Sequence, residues 1–219
     1  MTTYRLVIGN KNTSSWSLRP WLAMTHAGLA FSEVNIDLRS TDAKAQILAL
    51  SPSGKVPALL AAGDRIIWDS LAILEFLAET HPEARLWPAS RDARAYARCV
   101  SAEMHSGFQP LRQHCPMDFL ARSPQAELAE DVGADVRRIV ALWQDCRSQF
   151  GAGGPFLFGA FSAADAMYAP VASRFRTYLS NLAPYGDDGA AQAYVEALFA
   201  VPAMLQWERD ARSEIAARV

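Results

Sequence analysis

The sequence predicts a small α+β domain over residues 1–80, a linker over 81–90 and an all-α helical domain over 91–219. Three observations carry this division. The first eighty residues alternate between period-two and helical hydrophobic patterns. Residues 81–90 hold two prolines and no periodicity. Everything beyond them repeats apolar residues at a stride near four, the spacing of amphipathic helices.

Taken in order, Tyr4, Leu6 and Ile8 alternate and predict a strand closed by Gly9-Asn10. The polar stretch Asn10 to Ser15 leads into a helix through Leu18, Trp21 and Leu22 that ends at Gly28. Val34 and Ile36 mark a second strand, and Ala43 to Leu50 a short helix broken by Ser51-Pro52-Ser53-Gly54. Val56 to Leu60 and Arg65 to Trp68 predict two strands joined by a hairpin connection at Ala62-Gly63-Asp64. Ser70 to Glu79 closes the domain as a helix, giving the order βαβαββα. In the helical half, Tyr96, Val100, Met104, Phe108 and Leu111 predict one long helix. Leu128 to Phe150 predicts a second, packed on the first as a hairpin, and further helices start at Ala163, near Ala190 and at Val201.

The chain has 219 residues, 51% hydrophobic and 20% charged, with a formal net charge of −2. That balance supports an ordinary globular core and gives no basic surface for nucleic acid. No apolar run is long enough to span a bilayer, and Met1-Thr2-Thr3-Tyr4-Arg5 has no signal-peptide layout. Cys99, Cys115 and Cys146 are odd in number and widely spaced, which fits reduced thiols in a cytoplasm. All three are expected as small buried hydrophobes. None of the four histidines forms a metal-ligand spacing with them, so no metal is expected.

Three motifs in the first domain carry chemistry: Ser14-Ser15-Trp16-Ser17-Leu18-Arg19 at a helix start, Lys55-Val56-Pro57, and Asp69-Ser70 at another helix start. The second domain adds Gly107-Phe108-Gln109-Pro110-Leu111, and Leu157 to Asp165. Each is weak alone. In this order the five resemble the cytosolic glutathione transferases, specifically a serine-type, bacterial member similar to the zeta class, the maleylacetoacetate isomerases. The resemblance implies a thioredoxin-like glutathione-binding domain, a helical domain holding a second substrate, and a homodimer. It departs from the zeta pattern at Trp16, where that class has cysteine.

The residues then take expected roles. A glutathione thiol, with a pKa of roughly 8.5, needs help to ionise at neutral pH. A serine hydroxyl at a helix N-terminus supplies a hydrogen bond where the helix dipole favours an anion. Ser14 matches the zeta pattern, whereas counting back from Arg19 selects Ser15; both remain candidates. Capping is the structural alternative for either. Arg19 is expected near the site as an electrostatic helper. For Val56-Pro57 the resemblance implies a cis peptide that turns the Val56 backbone toward the cysteinyl residue of glutathione; a plain edge-strand proline is the alternative. Lys55 then suits the glycyl carboxylate, Ser70 the γ-glutamyl carboxylate, and Asp69 the γ-glutamyl ammonium or the helix cap. Trp16, His105, Phe108, Gln109, Arg112 and Gln113 are candidates for the second-substrate pocket, with Arg112 suiting an anion. Ser162-Ala163-Ala164-Asp165 is a capping box with a structural role. The expected activity is transfer of glutathione to a small hydrophobic or anionic electrophile, with no other cofactor. A glutathione-dependent isomerase or peroxidase, or a non-catalytic binding protein, are the alternatives. No cysteine precedes Trp16 in its loop, which disfavours a thiol-disulfide oxidoreductase.

Overall fold

The computed structural model describes residues 4–217. Its first part is β1 (Tyr4–Ile8), α1 (Ser15–His26), β2 (Phe31–Asn35), α2 (Ala43–Leu48), β3 (Ala58–Ala61), β4 (Arg65–Trp68) and α3 (Ser70–Thr80). The four strands form one mixed sheet in the order β2-β1-β3-β4; β1 and β2 run parallel, the other pairs antiparallel. The alternation of β1 divides the apolar groups between two faces. Tyr4, Leu6 and Ile8 point to the main core with α1 and α3, whereas Val7 points to a smaller core with Ile36, Ala43 and Ile47 under α2.

A short 3₁₀ turn, Pro82–Ala84, leads to α4 (Arg91–Ser106), α5 (Gln109–His114), α6 (Glu130–Phe150), α7 (Ala163–Tyr178), α8 (Ala190–Phe199) and α9 (Pro202–Ala216). The single long helix expected through Leu111 is in fact two. It stops at Gly107, and Phe108 adopts a left-handed φ of 55° before α5 begins. The cause is Pro110: it lacks an N–H, and inside a helix its ring would clash with the carbonyl of Ser106. The strand expected from Val56 begins instead at Ala58, because Val56 and Pro57 form a cis peptide outside the ladder. Cys115 and Cys146 are buried as expected, but Cys99 is exposed on α4.

α6 runs antiparallel to α4, tied by Glu103–Arg138 at 2.8 Å and by Tyr96–Asp145. α7 occupies the centre and packs on α1, α4 and α8, with nearly every residue buried. Asp165 starts it. Its carboxylate accepts from Ser162 N at 2.7 Å, Ser162 Oγ at 2.9 Å and Leu157 N at 3.1 Å. These bonds satisfy backbone donors that a buried helix start would otherwise orphan.

Candidate active site

Two neighbouring cavities lie where α1 meets the helical half, and the indole of Trp16 forms a wall of both. The first, about 480 Å³, is lined by Ser53, Lys55, Val56 and Pro57 on one side, by Trp68, Asp69 and Ser70 on another, and by His105. The second, about 320 Å³, is lined by Thr13, Ser15, Gln109, Arg112, Gln113, Pro116, Met117 and Arg174. Size alone does not distinguish them. A hollow of about 520 Å³ between α7 and α8 is larger, but its one guanidinium, Arg176, is already directed at Glu208, 3.7 Å away.

The first cavity combines an open backbone edge, a helix N-terminus and a lysine at its rim. The Val56–Pro57 peptide is cis, and among the described residues neither the N–H nor the C=O of Val56 has a hydrogen-bond partner. A half-buried backbone with both groups free is an open strand edge. Across from it, α3 presents its N-terminus. Asp69 caps this helix from a left-handed φ of 76°, a conformation costly for a non-glycine residue, with Oδ1 accepting from Leu71 N at 2.9 Å and Ala72 N at 3.3 Å. Its other oxygen meets His105 Nε2 at 3.2 Å, a contact between the two halves of the chain. Lys55 is exposed at the rim, and no carboxylate pairs with its ammonium among the described residues.

Ser14 is the residue before α1. Its side chain makes no capping bond, and 7% of its surface is exposed. Instead its Oγ lies 2.7 Å from Ser17 Oγ, which in turn accepts from Gly9 N at 3.1 Å. With Ser17 donating to Ser14, the Ser14 proton is left available. A Cβ at Gly9 would come 2.4 Å from the exposed Leu38 side chain, which would have to move aside, and 3.1 Å from Ser14 Oγ. Ser15 sits one residue on and lines the second cavity.

Arg19 is almost wholly buried and lines neither cavity, but it touches two residues that do. Its Nη1 lies 3.5 Å from Ser70 Oγ, and its guanidinium stacks 3.9 Å from the centre of the Trp16 ring. Arg112 lies on the same ring at 5.6 Å. Burial first, then the nearby guanidiniums of Arg174 and Arg112, lower Arg19 to about 9, with Asp69 opposing. Burial and then Arg112 lower Arg174 to about 10. Arg19 and Arg174 both keep their charge at neutral pH, and this crowding of positive charge is relieved by an anion placed among the guanidiniums.

Two family models match this chain: glutathione S-transferase, N-terminal domain, over residues 13–80, and glutathione S-transferase, C-terminal domain, over residues 125–200. The chain belongs to the glutathione S-transferase family. A probable maleylacetoacetate isomerase of Caenorhabditis elegans is 39% identical over 46% of this chain, and the match spans 46% of that protein. A solved maleylacetoacetate isomerase from Anaeromyxobacter dehalogenans is 26% identical with a TM-score of 0.66, covering 94% of this chain and 91% of that one. A Burkholderia glutathione transferase homolog, determined with bound glutathione, shares the fold with a TM-score of 0.69 at 22% identity, over 96% of this chain and 98% of that one.

Within this transferase fold the structure gathers Lys55, Val56, Pro57, Asp69, Ser70 and His105 in one cavity, and Ser15, Gln109, Arg112 and Gln113 in the other. Phe108 joins neither; it is buried in the core behind the break between α4 and α5. Arg174 was absent from the sequence expectations. It reaches the second cavity from α7, fixed by Nε to Cys115 O at 2.8 Å and by Nη1 to Pro170 O at 3.1 Å. No local signal marked it, because α7 also carries Asp165 and Arg176, and Arg174 is set apart only by contacts distant in sequence. Among the described residues no group of acidic, histidine and cysteine side chains could hold a metal.

Proposed function

We propose that this chain binds glutathione in the 480 Å³ cavity, ionises its thiol at the start of α1, and delivers it to a small anionic electrophile in the arginine-lined cavity. One observation carries the reading. An unpaired backbone edge at Val56 and a helix N-terminus at Asp69-Ser70 face one cavity, and that cavity shares the Trp16 wall with a second one rich in arginine. Glutathione has groups to match. Its γ-glutamyl carboxylate suits Ser70 and the α3 N-terminus, its ammonium Asp69, its cysteinyl main chain Val56, and its glycyl carboxylate Lys55. Ser14, held by Ser17, donates its hydroxyl proton in a hydrogen bond to the sulfur without leaving oxygen. The thiol proton passes to water, and the thiolate forms the new carbon–sulfur bond either as a leaving group departs with its bonding pair or, at an activated double bond, as the π pair moves to the neighbouring carbon and takes a proton from water.

A second reading is favoured by relatives named maleylacetoacetate isomerase. In it the thiolate adds to the double bond of an unsaturated diketo acid. Rotation about the resulting single bond and expulsion of the thiolate then release the other isomer with glutathione regenerated. Arg112 and Arg174 serve either reading by pairing with the substrate's carboxylates. We further propose a cytoplasmic homodimer; no helix among the described residues is long and apolar enough to cross a membrane.

Calorimetry with glutathione, followed by turnover with chlorodinitrobenzene, hydroperoxides and a maleylacetoacetate-like diketo acid, tests the proposal. Binding with turnover of at least one electrophile is expected. Absence of glutathione binding would overturn it, and binding without any turnover would leave a non-catalytic glutathione-binding protein.

A further inference from the structure

The three residues before Thr13 are each tied to a different part of the chain. Asn10 Oδ1 accepts from Leu38 N at 3.0 Å. Asn12 brackets the segment after α5: its carbonyl accepts from Phe119 N at 3.0 Å, its Oδ1 from Leu120 N at 3.0 Å, and its Nδ2 donates to Asp118 Oδ1 at 2.9 Å. Pro116 and Met117, the residues just before that segment, line the arginine cavity.

Lys11 makes the third tie. Its side chain is 4% exposed, with Nζ 2.6 Å from Asp210 of α9 and 3.0 Å from Glu33 of β2. The ammonium also lies 4.7 Å from the Trp21 ring centre and 5.4 Å from that of Trp207. The Lys11 backbone is held as well: its N–H donates to Glu214 at 2.9 Å, and its carbonyl accepts from Trp207 Nε1 at 2.9 Å. A buried cation is costly to desolvate, and an apolar replacement for a buried ion pair is frequently neutral or stabilising. Stability alone therefore gives no reason for a lysine here. What the lysine does supply is directional fixing of a loop that ends two residues later at Thr13 and delivers Ser14 to the helix start.

We infer that Lys11 and Asn12 are positioning residues for thiol activation. Through them α9 and residues 118–120 set where Ser14 and the first N–H groups of α1 stand relative to the sulfur. The inference rests on the glutathione-activating reading above. Neither residue lines either cavity.

The test is the pKa of bound glutathione thiol, followed by thiolate ultraviolet absorbance in the intact protein, in Lys11→Met and in Asp210→Asn. Charge and position predict opposite signs for the second variant. Removing the Asp210 carboxylate leaves more positive charge near the sulfur, which by Coulomb attraction alone lowers the thiol pKa. Loss of positioning raises it. A rise of about one unit is expected in both variants, a roughly tenfold loss of thiolate near neutral pH, with kcat falling in parallel and recovering at high pH. Glutathione Kd should hold nearly constant. An unchanged thiol pKa with only a lowered Tm overturns the inference, because the contacts are then purely structural. A rise in Lys11→Met with a fall in Asp210→Asn also overturns it, in favour of long-range charge. Should Lys11→Met not fold, Asp210→Asn and Asn12→Ser decide by the same criterion. An intact protein that does not lower the thiol pKa defeats the glutathione-activating reading itself, before any variant is compared, and the inference falls with it.

Discussion

Replacing Arg19 by methionine should stabilise the empty protein and impair the ligand-bound one. The guanidinium is 1% exposed, and its Nε has no hydrogen-bond partner among the described residues. Its pKa falls from 12.5 to about 9, with burial the largest cause. At 1.36 kcal/mol per unit, that depression corresponds to a penalty on the order of 5 kcal/mol. The sign follows from the cation being the disfavoured form in the fold. The penalty is fully present below pH 9 and is relieved only as pH rises from about 9 toward the unfolded value. Stacking on Trp16 returns about 1–2 kcal/mol, and the long bond to Ser70 about 1 kcal/mol or less. A net gain of roughly 2 kcal/mol for an isosteric apolar side chain remains, or about 4–8 °C in Tm for a chain of this size. Differential scanning calorimetry at pH 7 measures it. With saturating glutathione the ranking should narrow or invert, because anions then compensate the cation in the intact protein. If Arg19→Met melts lower than the intact protein without ligand, the contacts to Ser70 and Trp16 outweigh desolvation, and the account of a strained cation fails.

Ser14→Ala should raise the bound-thiol pKa by roughly one to two units while largely sparing glutathione affinity, and Ser15→Ala should do less; thiolate absorbance titrations compare them. The reverse outcome assigns the sulfur contact to Ser15. Arg174→Gln should raise KM for carboxylate-bearing electrophiles by about tenfold or more and leave neutral ones nearly unaffected, read from kcat/KM with a matched substrate pair. Asp165→Asn should cost about 1–3 kcal/mol, because an amide offers one acceptor oxygen where the carboxylate serves three donors through two. Burial raises the Asp165 pKa from 3.8 to about 6, so this group makes the intact protein gain stability as pH falls from about 6 toward 4. The gain should vanish in Asp165→Asn, as followed by urea midpoints at each pH.

The order of elements in the first eighty residues was legible because strands and helices there bury one face each, and their periods are written directly in the apolar residues. The same reasoning misread residues 107–110. Phe108 and Leu111 keep the helical stride across Gly107, so the pattern ran straight through a break that Pro110 already signalled. Lys55, Val56, Asp69 and Ser70, which line one cavity, could be singled out only by the likeness to the glutathione transferases, because a lysine before an X-Pro pair and an acid-serine pair at a helix start are weak signals by themselves. Arg174 and Lys11 could not. Each acts through partners far away in sequence, with Lys11 meeting Asp210 and Trp207, and local spacing holds no record of such contacts. Cys99 was expected inside on composition, whereas its position beside the buried Val100 turns it outward.

The central place of α7 has a consequence for synthesis on the ribosome. α1 leaves the exit tunnel early, yet Leu18, Trp21 and Leu22 join one continuous core with α7, which is complete only at Tyr178. Some 150 residues separate the two helix ends. At typical elongation rates the apolar side of α1 therefore waits about 8–30 s for its cover. During that interval the nascent sheet domain presents a greasy helix to solvent, a surface that holdase chaperones capture. Truncation anywhere before α7 makes the exposure permanent, so fragments ending near residue 80 should be recovered as aggregates and not as a free-standing glutathione-binding unit.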